Sequence, residues 1–176
     1  ESPASAGPVP VGGKVKSIAV GRDHSCAVME DGGLRCWGLS SYGQLGYGST
    51  DTIGDDEYPS TAGDIQVGGK VEAVSAGEFH TCALLEGGTV RCWGIYNSGV
   101  LGIPGLTENV GDDEHPDAYP AVDLGSVALK IDSGANHNCA IIEGAENHEI
   151  LCWGSGAEGR LGNGDEAHVG DDEAPS

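Results

Sequence analysis

His24-Ser25-Cys26-Ala27-Val28-Met29-Glu30-Asp31-Gly32-Gly33-Leu34-Arg35-Cys36-Trp37-Gly38 holds two short apolar runs on either side of an Asp-Gly-Gly turn. Glycine supplies the positive φ that such a turn needs, so the stretch predicts a β-hairpin with strands at Ser25–Met29 and Leu34–Trp37. The two cysteines lie at equal distances from the turn. Residues placed that way face each other across two antiparallel strands, close enough for a disulfide. Upstream, Val15 to Val20 alternates loosely and stops at Gly21, which adds a third strand.

The same pattern recurs twice. Cys-Trp-Gly stands at 36–38, 92–94 and 152–154, spaced by 56 and 60 residues. His-x-Cys-Ala begins at His24, His80 and His137, and Gly-Asp-Asp-Glu at Gly54, Gly111 and Gly170. Three motifs keeping step along the whole chain make it a tandem repeat. The units run 1–56, 57–113 and 114–176, with the start of a further repeat at 173–176. Glu1 to Gly13 aligns without a gap on Glu57 to Gly69, so first and last residues share one phase of the repeat. That phase suggests a window on a longer array, covalent or assembled. The second hairpin turns at Gly87-Gly88 and the third at the longer 144–148; a fourth strand per unit is expected at 65–67 and 121–124. No segment has a helical period, and 31 glycines in 176 residues suit many turns between short strands.

These motifs, with Gly-Gln-Leu-Gly-Tyr-Gly at 43–48 and its relatives at 99–102 and 159–164, resemble the regulator of chromosome condensation repeat family. The resemblance implies an all-β fold of three four-stranded antiparallel propeller blades, part of a larger propeller or assembly. Family members usually close seven blades into a ring, and include nuclear exchange factors and secreted bacterial proteins, among them a β-lactamase inhibitor. Three repeats are too few for that ring, and a cysteine pair per repeat is not general to the family; it fits a secreted bacterial type.

Cys26/Cys36, Cys82/Cys92 and Cys139/Cys152 then read as one structural disulfide per repeat, in an extracellular or cell-surface setting. Zinc is the rival, but Cys-x-x-Cys spacing and a fourth ligand are missing. His24, His80 and His137 read as turn residues that satisfy backbone groups, since no nucleophile accompanies them. Trp37, Trp93 and Trp153 read as packing residues, with an exposed carbohydrate-binding row as the alternative. The acidic triplets Asp55-Asp56-Glu57, Asp112-Asp113-Glu114 and Asp171-Asp172-Glu173 are candidate calcium ligands. Their alternative is a set of turns in which aspartates cap the backbone.

With 28 acidic side chains against 8 basic, the formal charge of −20 repels nucleic acid. No apolar run approaches a membrane span, and the first residues do not form a signal peptide. The expected partner is a protein, with the chain itself, joined head to tail or through further repeats, as one candidate. A non-enzymatic structural or interaction module follows, with a binder or inhibitor of one soluble protein as the alternative.

Overall fold

The computed structural model describes residues 2–176, so the expectation placed on Glu1 lies outside it. Three antiparallel sheets follow one another along the chain. The first joins β1 (Val15–Val20), β2 (His24–Met29) and β3 (Leu34–Gly38). The second joins β4 (Val71–Ala76), β5 (His80–Leu85) and β6 (Val90–Gly94), and the third β7 (Ala128–Ser133), β8 (His137–Glu143) and β9 (His148–Gly154). In each sheet the order is sequential, as short hairpin connections dictate. The first strand of every sheet carries a bulge at one and the same place, between Val15 and Ser17, Val71 and Ala73, and Ala128 and Lys130. A bulge there raises the local twist identically in all three blades.

The hairpin register sets Cys26 opposite Cys36, Cys82 opposite Cys92 and Cys139 opposite Cys152. All three pairs are disulfide-bonded, with Cα atoms 4.0–4.1 Å apart. The Cys36 N–H donates outward to the Tyr47 hydroxyl rather than to β2, which marks this as a narrow, non-hydrogen-bonded pair. The first two bridges are fully enclosed; the third is half-buried under its longer turn.

The fourth strand is the main correction. Neither 65–67 nor 121–124 forms a ladder. Ile65 and Val122 each donate one backbone N–H, to Leu34 and Val90, at 2.9 Å. Their burial alternates as in a strand, but Gly63 and Gly68, both at positive φ, leave room for only a few extended residues. Pro120 supplies no N–H on the other segment. Outer edges are otherwise closed by single bridges, Gly38 to Ile53, Gly94 to Val110 and Gly154 to Val169. Two one-turn helices, α1 (Pro3–Ala6) and α2 (Pro59–Ala62), begin at proline; four residues are too few to show a helical period.

The sheets stack in order, β4 against β1 and β2, and β7 against β4 and β5. One apolar cluster runs through all three, from Val28 and Leu34 through Leu84 and Val90 to Ile131 and Ile142. Blades that share a core are stabilised mainly through their neighbours. Among the described residues no helix is long and apolar enough to cross a membrane.

Removing the central bridge should release the second hairpin. The double variant Cys82→Ala/Cys92→Ala is expected to lose about 2–3 kcal/mol, as for a short closed loop, in guanidinium unfolding under non-reducing conditions.

Candidate functional site

Each histidine opens the middle strand of its blade directly after a tight turn. Gly21, Gly77 and Gly134 end the first strands, and a Cβ on any of them would collide with the imidazole of His24, His80 or His137. The glycine therefore makes room for the ring. The His24 Nε2 lies 2.8 Å from the Thr81 hydroxyl of the next blade, and that hydroxyl donates to the Gln44 carbonyl at 2.8 Å. With its own proton committed, Thr81 must accept, so His24 carries its hydrogen on Nε2. The second junction repeats the arrangement: His80 Nε2 donates to Asn138 Oδ1 at 2.8 Å, and Asn138 Nδ2 donates to the Val100 carbonyl at 2.8 Å. His24 and His80 thus pair with side chains of a neighbouring blade, where the sequence pointed to nearby backbone.

Burial pushes His24 and His80 down to about 4, and neither Asp23 beside the first nor the Asn138 hydrogen bond on the second offsets it. Burial lowers His137 too. Neutral rings that already donate to a neighbouring blade act as pins between sheets, and among the described residues every cysteine is held in a disulfide.

The glycine-rich motif after Cys-Trp-Gly is the other half of the junction. A Cβ on Gly43 would overlap the backbone of Gly111 and Asp112, and one on Gly46 would meet the Trp93 indole. Trp93 Nε1 donates to the Gln44 carbonyl at 3.0 Å, the same oxygen that Thr81 uses. In the second blade Gly99 lies against Gly170 and Asp171, and Gly102 against Trp153. Trp93 and Trp153 are completely buried in these sockets, while Trp37 is half-buried. The tryptophans pack, and the carbohydrate row does not form.

Each acidic loop gathers one oxygen from each of its three carboxylates within 4.8 Å: Asp55, Asp56 and Glu57; Asp112, Asp113 and Glu114; Asp171, Asp172 and Glu173. These nine residues are the ones that could hold a cation. Much of their hydrogen bonding is local. Gly54 and Gly111 donate N–H groups back to Glu57 and Glu114 at 2.9 and 3.1 Å, and Asp55 and Asp171 each accept from the following residue. The loops also pack, since Gly48 donates to the Gly111 carbonyl and Gly105 to that of Asp171. Partial burial and a proton shared with Asp113 push Glu114 up to about 7, and hydrogen bonds to Asp56 and Asp172 raise Glu57 and Glu173.

A further cluster escaped the sequence reading. Arg22 is ion-paired with Glu78 and lies over the Phe79 ring, 5.2 Å from its centre; Phe79 packs on Tyr42 at 5.1 Å. Asn136 Nδ2 donates to Glu78 at 3.4 Å, so the cluster spans all three blades. Arg22, Glu78, Phe79 and Asn136 follow within two residues the glycines that end the first strands, Tyr42 directly precedes the glycine-rich motif at 43–48, and these residues differ from repeat to repeat. That variation at a fixed place in the repeat was the available signal.

Residues 15–44 and 71–99 match one family model and residues 31–84 a second, both described as the regulator of chromosome condensation (RCC1) repeat. Protein pim1 of Schizosaccharomyces pombe is 32% identical over 85% of this chain, and the ultraviolet-B receptor UVR8 of Arabidopsis thaliana 30% identical over 86%. The chain spans 29% and 32% of those two proteins. The crystal structure of yeast RCC1 (Prp20) bound to Kap60 superposes on 92% of this chain and 37% of its own, with a TM-score of 0.68 at 21% identity. The fold is that of propeller blades.

The pins carry a pH dependence. His24 and His80 bind a proton at 6.5 when unfolded but only near 4 when folded, so between those values the unfolded state holds more protons. Their stabilisation is complete above 6.5 and is lost as the pH falls toward 4. Glu114, raised to about 7, works in the opposite sense between 4.5 and 7, so the informative comparison is between variants. His80→Gln keeps a donor for Asn138 without titrating; its melting temperature should be lower at pH 7.5 and fall less steeply than the wild type's from pH 6.5 to 4.

Proposed function

Because the chain carries repeats of the regulator of chromosome condensation family, we propose that it is a non-enzymatic protein-interaction scaffold, working at the cell surface or outside the cell as part of a larger assembly. The observation that carries this reading is the Arg22–Glu78–Phe79–Tyr42–Asn136 cluster, held across three blades by buried pins. Aromatic rings and arginine on a rigid frame lose little conformational freedom when a partner binds, and such residues are over-represented where binding energy concentrates. Prp20, a relative in fold, is bound to another protein in its solved complex. Three disulfides without a free cysteine suit an oxidising compartment and a secreted bacterial type of repeat protein. The partner surface is protein rather than nucleic acid, because a charge of −20 repels phosphate. The same cluster also serves the second reading, a binder or inhibitor of one soluble protein.

Phe79→Ala tests the cluster, since its removal leaves the pins untouched. Immobilised wild-type chain exposed to the secreted fraction of the source cells should retain a defined protein that the variant loses. Equal retention by both forms would count against this face.

Calcium in the acidic loops belongs to the proposal as an accessory. It is supported by three carboxylates meeting within 4.8 Å, with their mutual repulsion left to be relieved. Millimolar calcium should raise the melting temperature and a chelator should reverse the rise. An unchanged melting temperature would remove calcium and leave the scaffold.

A further inference from the structure

In the first two repeats an arginine stands directly before the second cysteine of its hairpin, and the acceptors around the two arginines differ. Arg35 Nε donates to Asp64 Oδ1 at 2.8 Å. The Asp64 carboxylate lies over Gly33, where an added Cβ would come within 2.8 Å of it. On the neighbouring residues the Tyr47 hydroxyl accepts from the Cys36 N–H at 3.3 Å and donates to the Gly63 carbonyl at 3.2 Å. A carboxylate and a hydroxyl thus close this part of the outer edge of β3.

In the second repeat both acceptors are gone. Ala121 takes the place of Asp64, since the residues that follow them, Ile65 and Val122, bond Leu34 and Val90 in the same way. Thr89 stands for Gly33, and Ile103, which has no hydroxyl, for Tyr47. The arginine is kept. Arg91 Nη1 donates to the Pro116 carbonyl at 3.2 Å and also to that of Tyr119, but Arg91 Nε is buried without a partner. A Cβ on Gly68 would lie 3.4 Å from the Asp117 Cβ and 3.5 Å from Arg91 Nε. Even so, among the described residues Arg91 makes no ion pair. A buried guanidinium N–H without an acceptor is costly, and the first repeat shows which acceptor fits it. The place is also open. Ala121 and Thr89 line a groove of about 500 Å³ between the β5–β6 turn and residues 121–127.

We propose that Arg91 anchors a carboxylate-binding site, in which a carboxylate from outside the chain takes the place that Asp64 holds on Arg35. One oxygen accepts from Arg91 Nε, and the other faces the groove beside the Thr89 hydroxyl. Because Thr89 carries a Cβ where Gly33 has none, the bound group sits further out into the groove than Asp64 does. A carboxylate suits this place better than chloride, since its two oxygens lie in one plane with the guanidinium donors. Asp123, exposed in the same groove, and Asp117 are like charges that select a single carboxylate over a polyanion. The rest of the groove holds whatever the carboxylate is attached to, a free acid or an acidic side chain of a protein. The site is separate from the Phe79 cluster and does not rest on it.

NMR of the arginine Nε–H groups reads the site directly. Arg91 should move downfield and saturate when sodium acetate replaces sodium chloride at constant ionic strength, while Arg35, already bound to Asp64, stays in place. An N-acetylated, amidated tripeptide with a central aspartate should produce the same shift. Saturation at a lower concentration than acetate identifies a protein side chain as the ligand, and saturation at the same or a higher one a free acid. Thr89→Gly/Ala121→Asp transplants the first repeat's pair into the second. Its Arg91 signal should lie near that of Arg35 without any addition and should respond to neither probe. A wild-type Arg91 signal that neither probe moves overturns the proposal, whether water or Asp117 then meets Nε. A double variant that responds as the wild type does overturns it as well.

Discussion

The structure depends on a hydrogen bond that a neutral imidazole donates from one blade into the next. His24 reaches Thr81 and His80 reaches Asn138, and in each case the acceptor passes its own hydrogen to a loop carbonyl of the preceding blade. The chain of bonds therefore runs out of a blade and back into it. Its members are buried, where an unpaired polar group costs about 1–3 kcal/mol, so the sheets cannot slide without breaking several contacts together. Gln44 concentrates this, since its carbonyl accepts from both Thr81 and Trp93.

Around the pins the packing is modest. There is one phenylalanine and one methionine, and the core consists largely of valine, leucine, isoleucine, alanine and disulfide sulfur. Cross-strand bridges limit the freedom of hairpins that have little apolar bulk of their own, while glycine sockets let tryptophan edges approach the backbone. Local stability comes from the disulfide, and order between blades comes from the histidine and the socket. A surface cluster such as Arg22, Tyr42 and Phe79 can bridge blades only because both levels hold.

Much of this was legible in the sequence. Strand positions followed from short apolar runs ended by glycine, and the cysteine partners from symmetry about Asp31-Gly32-Gly33 and Gly87-Gly88. The fourth strand misled because Ile65 and Val67 alternate with Gln66 as strand residues do, yet Gly63 and Gly68 on either side leave the segment one backbone hydrogen bond to β3 and no ladder. The pin acceptors were hidden for a different reason. Thr81 and Asn138 are different residue types at one place in the repeat, alike only in offering an oxygen. The histidines were visible and their partners were not, because contacts across 57 and 58 residues leave no local pattern. The acidic loops were conspicuous as charge, and their packing against Gly43 and Gly99 appears only in three dimensions.

Neutral histidines join the blades, and nitrogen-15 NMR of the imidazoles observes that state directly. His80 should show the tautomer with hydrogen on Nε2 throughout pH 5.5–8, with a slowly exchanging ring proton and a midpoint near 4. A His80 ring that titrates near 6.5, or carries its hydrogen on Nδ1, would contradict the pin and with it the explanation of how three repeats form one body.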